Sequence, residues 1–434
     1  MSFLRSLNRN QKEAIGLLQI GTFLEYFDLM LYVHMAVLLN KLFFPETDPQ
    51  TAALLAAFAF CSTYVLRPFG AIIFGYIGDN IGRKATVILT TMIMSISCVI
   101  MANLPTYAEI GITSAWLVTL CRIAHGLSSM GEIVGAQIYL TEITKPPAQY
   151  PAVAFVTAAA ALGASAALGI ASLVTHCDFD WRVAFWMGAA IAVIGSIART
   201  RLRETPEFLI AKEKREKQRK HPTAPTEAYY NEKVNKRNLL AFFFILSGWP
   251  FSFYLVFIYF NPILTYSFGY SPQDIIFHNF LLSLVFLFTF IWWAILSYKH
   301  HPLKIVKIKI ILSAIFMLFL PWIISKCTSP SQLLLVQALL VFLSLSGTPT
   351  EPVMLKTFPV FHRFKVTSII YASSRALMAI GTAFGLVYLT KWTGHWGIPI
   401  IGYPIIAAIL WSLHHFEKLE SLRSISISDE ERVA

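Results

Sequence analysis

The feature that most constrains this chain is a series of apolar stretches, each long enough to cross a bilayer, recurring from one end to the other. They fall near 14–40, 52–78, 86–103, 110–140, 150–174, 182–199, 238–262, 273–297, 305–325, 331–355, 365–390 and 395–414, about twelve in all. A helix needs roughly 20 apolar residues to span the hydrocarbon core. In that core every backbone N–H and C=O must be paired within the protein, which makes the helix the form such a stretch takes. Composition agrees: 56% of the residues are hydrophobic and only 14% charged, against about 25% charged in a soluble domain. The expected fold class is an all-α membrane protein of about twelve transmembrane helices.

A formal net charge of +11 raises nucleic acid as a partner, but the positions of the charges argue against it. Lys and Arg cluster between the apolar stretches. With the N-terminus inside, the inside segments hold 28 of them, counting Lys299, Lys304, Lys307 and Lys309 in the eighth loop. The outside loops hold four, Lys41, Arg182, Lys326 and Lys391, and three, Arg67, Arg122 and Arg375, lie within spans. This bias follows the positive-inside rule and predicts cytoplasmic termini in a plasma membrane. The charged segment 200–237 splits the chain six plus six: an N-terminal half 1–199, a cytoplasmic linker 200–237, a C-terminal half 238–420 and a short polar tail 421–434. Within the linker, 206–220 reads as an amphipathic helix. The polar N-terminus has no small-residue cleavage site before the first span, so that span is expected to be retained. The five cysteines lack metal-ligand spacing and are expected to be free thiols. No metal and no Walker A sequence are visible, and no catalytic constellation marks an enzyme.

Charges inside spans are the functional candidates, because each costs several kcal/mol in the bilayer unless paired or solvated. Gly21–Tyr32 carries Glu25 and Asp28 one helical turn apart, on one stripe with Tyr32. Span four carries Arg122, His125, Ser129 and Glu132 on one face. Arg67 is placed to neutralise Glu25 or Asp28. In span eleven Ser368, Tyr371 and Arg375 form a further stripe, and Arg375 suits a substrate carboxylate as a bidentate fork. In span ten, Pro349 and Pro352 break the helix beside Glu351, and broken helices mark transporter hinges. Span seven offers Trp249 and Tyr254 as aromatic platforms for a quaternary ammonium group.

Between spans two and three the chain reads Gly75-Tyr-Ile-Gly-Asp79-Asn-Ile-Gly82-Arg83-Lys84. This resembles GxxxDxxGRK, the loop signature of the major facilitator superfamily. Further stretches are similar to its metabolite:proton symporter branch, which includes proline/betaine and ketoglutarate permeases. They are Gly21–Tyr32, Arg67-Pro68 through Gly75, Arg122 through Glu132, Trp181–Phe185 and Leu202–Phe208. The likeness covers residues 20–210 well and thins afterwards: Lys356 replaces the Glu of ELFP, and Arg375 has no counterpart. The matching loop of the second half lacks the Gly-x-x-x-Asp frame.

The resemblance implies two six-helix halves with internal inverted repeats, rocking about a mid-membrane site in a bacterial inner membrane. It implies a gate latch formed by Gly75, Asp79, Gly82, Arg83 and Lys84. The expected function is proton-coupled symport of a small zwitterion, proline or glycine betaine, with the proton gradient as the drive and no cofactor. Expected proton-coupling residues are Glu25, Asp28 and Glu132; expected substrate residues are Tyr32, Arg67, Arg122, Tyr254, Tyr371 and Arg375. The alternative is a dicarboxylate permease resembling those for 2-oxoglutarate, using two arginines; a non-transporting membrane sensor is a remote one. The expected partners are the small substrate, the proton and the lipid bilayer, with a monomeric functional unit.

Overall fold

A computed structural model describes residues 3–44, 66–176, 180–200, 202–220 and 234–433. Every spanning element is a helix. The first half contains α1 (Arg9–Phe43), α2 (66–80), α3 (Arg83–Ala102), α4 (Ile112–Ile143), α5 (Gln149–His176) and α6 (Arg182–Arg199). The linker contributes α7 (Pro206–Lys220), with the bounds expected from its charge pattern. The second half contains α8 (Lys236–Tyr254), α9 (Pro272–Leu296), α10 (Pro302–Lys326), α11 (Pro330–Phe342), the short α12 (Glu351–Leu355), α13 (Val360–Thr393) and α14 (Gly397–Val433). Among the described residues, leaving aside α7 and α12, twelve helices fall one on each apolar stretch read from hydropathy, the second represented by 66–80 alone. The polar tail after residue 420 continues α14 as helix.

Local chemistry sets several helix starts. Ser271 accepts from Asp274 N and Asp274 returns to the Ser271 N–H, a capping box that opens α9 with Pro272 in its first turn. Asn235 caps α8 through the Arg237 N–H. The start of α3 has no cap of its own, since Gly82 offers no side chain. Glu204 from the linker accepts from the N–H groups of Arg83 (3.1 Å) and Lys84 (3.2 Å) instead. A carboxylate there also faces the positive end of the helix dipole.

Two spans depart from regular helix. After α8 the chain passes through a π-helical turn, Leu255–Tyr259. Gln337 of α11 donates to Val256 O (2.7 Å) there, and its own Oε1 pairs with His278 Nε2 (2.8 Å). Between α11 and α12 residues 343–350 leave the helix, at the prolines expected to break it. Gly248 lets α8 approach this break: a Cβ there would lie 2.0 Å from Leu345 O.

The halves meet along two seams. At one, α5 lies against α9, with Ser165 Oγ donating to Ser283 O (3.0 Å). At the other, α2 lies against the start of α13, so closely that a Cβ on Gly75 would sit 2.6 Å from Lys365 Cα. Among the described residues Cys98, Cys121 and Cys327 form no disulfide.

Candidate substrate cavity and gate

A cavity opens between the halves, with walls from α1, α4 and α5 on one side and α8, α9, the span-ten break, α12 and α13 on the other. Its lining is mainly apolar and aromatic with a few polar groups, the composition of a small-molecule site. The central polar group is Arg375. Its guanidinium carbon lies 4.1 Å from the Trp249 ring centroid and 4.6 Å from that of Tyr371. Its Nη2 donates to the Tyr371 hydroxyl (3.3 Å), which lies 3.3 Å from the Tyr26 hydroxyl of the opposite half. The charges of Glu25, Arg67 and Arg375 all act on Tyr26. Among the described residues, Arg375 Nε and Nη1 have no hydrogen-bond partner, although the residue is only 6% exposed. A buried guanidinium with idle donors facing a cavity is set up to take an anionic oxygen pair.

Span ten supplies the second polar group. Glu351 is buried and lines the same cavity. Thr348 Oγ1 donates to its Oε1 (2.5 Å), while Oε2 has no hydrogen-bond partner among the described residues. Behind it, Lys309 is 1% exposed and donates to Ser346 O (2.7 Å) and Thr348 O (3.4 Å). The break frees backbone carbonyls inside the membrane, and Lys309 is the donor that satisfies them. The charge count set Lys309 with the loop lysines; burial in α10 corrects that placement.

At one end of the bundle, both Asp79 oxygens reach the N-terminus of α13, accepting from Phe364 N (3.1 Å) and Lys365 N (2.8 Å). Arg83 is fully buried. It bonds Gly78 O (2.5 Å), Asp79 (3.3 Å), Glu142 (3.3 Å) and, across the halves, Val360 O (2.7 Å). Arg363 of α13 returns the contact to Glu142 (2.9 Å) and to Glu207 of α7 (2.8 Å). Burial pushes the Asp79 carboxyl up to about 7, against the opposing pull of Arg83 and the two N–H donors.

The residues singled out from sequence divide accordingly. Tyr371 and Arg375 line the cavity together; Glu25 and Arg67 are buried outside its lining, and Arg122 is half-buried outside it. Tyr254 is half-buried at the start of the π-helical turn, away from the lining. Trp249 lines the cavity, but its ring face holds the protein's own Arg375. The side chains of Asp28, Tyr32 and Glu132 lie outside the described residues. Gly75, Asp79, Gly82, Arg83 and Lys84 gather at one end of the bundle, where Lys84 joins through its backbone N–H and Gly82 takes a φ of +150°. Sequence reading missed Lys309, Glu142 and Arg363. Their only signal was a charge inside or at the edge of an apolar run, which a loop residue gives equally.

Twelve spanning helices in two halves about a shared central cavity define a class of polytopic membrane protein. The profile of the Major Facilitator Superfamily matches residues 18–382, and the chain belongs to that family. It is 36% identical over 219 residues to an inner membrane metabolite transport protein of Escherichia coli (strain K12), covering 48% of this chain and 50% of that one. It is 30% identical over 272 residues to a proline/betaine transporter of Salmonella typhimurium, covering 60% and 54%. These matches span about half the length of each relative. Among solved structures, the fold is similar to a proton:xylose symporter, with TM-score 0.75 and 16% identity over 92% of this chain and 94% of that one. It is also similar to the human organic anion transporter MFSD10, with TM-score 0.70 and 16% identity over 94% and 100%.

Proposed function

We propose that this protein is a secondary active transporter that carries a small zwitterion such as proline or glycine betaine together with a proton, by alternating access, and is not an enzyme. The observation that carries the reading is Arg375: two idle donors on a buried guanidinium, facing an apolar cavity shared by both halves. A substrate carboxylate satisfies those donors. The substrate's cationic end is left to the aromatic wall. Relatives that are proline/betaine transporters support the same chemistry.

A dicarboxylate would use two arginines. Of the three in spans, only Arg375 is among the cavity-lining residues, which favours a substrate with one carboxylate. The Asp79 network serves as the gate latch, since it ties α2, α4 and α7 to α13 with the cavity lying beyond it. On this reading the latch and both termini face the cytoplasm of a bacterium, the chain sits in the inner membrane, and one chain is the functional unit. The test is uptake of labelled proline into proteoliposomes in the presence of unlabelled competitors. Glycine betaine should compete and 2-oxoglutarate should not; the reverse order would favour the dicarboxylate reading.

A further inference from the structure

We infer that Glu351, held on the span-ten break and backed by Lys309, is a proton-coupling residue of the C-terminal half. The inference rests on the symport reading above and assigns its proton to a site outside the N-terminal acid stripe. The carboxylate is buried, faces the cavity, and has one oxygen engaged by Thr348 and the other idle. Thr348 connects it to Lys309, since the carbonyl of that same residue accepts from the ammonium. The charges facing Glu351 are Lys309 of α10 and Arg375 of α13. The other titratable groups on the described cavity wall are the hydroxyls of Tyr26 and Tyr371.

The charge arithmetic gives the coupling. With Glu351 ionised and the site empty, Lys309, Arg375 and Glu351 sum to +1. A proton arriving through the cavity forms the O–H bond on Oε2 and raises the sum to +2. A substrate carboxylate at Arg375 brings the charge among these groups back to +1, with the substrate's own cationic end held apart from them against the aromatic wall. Proton and carboxylate therefore each favour the other's binding, and linkage requires that this be reciprocal. After the switch, the carboxylate leaves with the substrate and the proton leaves Oε2 on the other side.

The experiment compares wild type, Glu351→Gln and Glu351→Asp in proteoliposomes, using labelled proline and glycine betaine. In wild type, affinity should weaken as pH rises, by roughly 5–150-fold between the protonated and ionised forms. In E351Q affinity should be independent of pH, equal-concentration exchange should persist, and accumulation driven by a pH gradient should be lost. Glu351→Asp should restore accumulation with a displaced pH profile. Pronounced gradient-driven accumulation by E351Q, or loss of exchange and accumulation together, overturns the assignment. Should E351Q fail to fold, an undisplaced E351D profile overturns it equally. Acid-minus-alkaline infrared spectra provide a readout without substrate: the assignment requires a protonated-carboxyl C=O band that E351Q removes. If that band is present while wild type transports neither zwitterion with protons, the symport reading fails and Glu351 remains only a titrating site.

Discussion

Arg375 has the clearest chemistry of any single residue here. A hydrogen bond to a charged group contributes about 1.5–3 kcal/mol, which is roughly ten- to hundredfold in affinity. Arg375→Gln should weaken zwitterion binding by about that factor, measured by calorimetry on the purified protein. Arg375→Lys should recover only part, because an ammonium cannot present the planar fork. Equal affinity in all three proteins would remove Arg375 from the site. A second residue-scale prediction concerns Gly248, where a methyl group would collide with Leu345 O at 2.0 Å. Overpacking of this kind costs about 1–3 kcal/mol, so Gly248→Ala should lower the thermal unfolding midpoint in detergent. The inward placement of Arg375 was legible in the sequence because a charge deep in an apolar run has few bland explanations. Lys309 was not, because it lies near a basic loop and only the packing of α10 against the break shows where its ammonium goes.

Single elements reveal why the irregular segments persist. Lys309 holds the span-ten break by bonding two carbonyls that the missing helix turn leaves open. Lys309→Met strands those buried acceptors, at about 1–3 kcal/mol, and should lower the unfolding midpoint while leaving the Asp79 latch intact. The latch should itself respond to pH. Its buried Asp79 holds a proton up to about pH 7, against an ordinary value of 3.8. In an opened gate, a solvated Asp79 returns toward that ordinary value. The closed state therefore binds the extra proton: acid between pH 7 and 4 favours closure, and closure weakens as pH rises through 7. Spin labels at the exposed positions 80 and 362 should report a larger short-distance population at low pH, and Asp79→Asn should make it insensitive. Prolines at 349 and 352 and the Gly75–Lys84 loop made the break and the latch legible. The π-helical turn after α8 was not, since Gln337 and Val256 are 81 residues apart and nothing local marks their meeting.

For the whole molecule, the number of helices, their division into halves and the all-helical class followed from hydropathy and charge alone. The bilayer permits so few backbone forms that periodicity settles most of the fold. What hydropathy cannot supply is which faces meet. The stripe in α1 and the stripe in α13 looked equivalent in sequence. In the structure, α1 contributes Tyr26 and Met30 to the cavity wall, while Glu25 is buried and is not among the lining residues. Among the described residues, the cavity draws its fixed charges, Arg375 and Glu351, from the C-terminal half, and the N-terminal half contributes mainly apolar wall and the Asp79 network. On the proposed transport reading, alternating access has the Asp79 network and the α5–α9 seam open in turn around a substrate held at Arg375. The measurement that bears most directly on this account is uptake into proteoliposomes under an imposed inward proton gradient, over proline, glycine betaine and 2-oxoglutarate. The account predicts concentrative uptake of a zwitterion that collapses when a protonophore is added; uptake that ignores the pH gradient, or that accepts only the dicarboxylate, would contradict it.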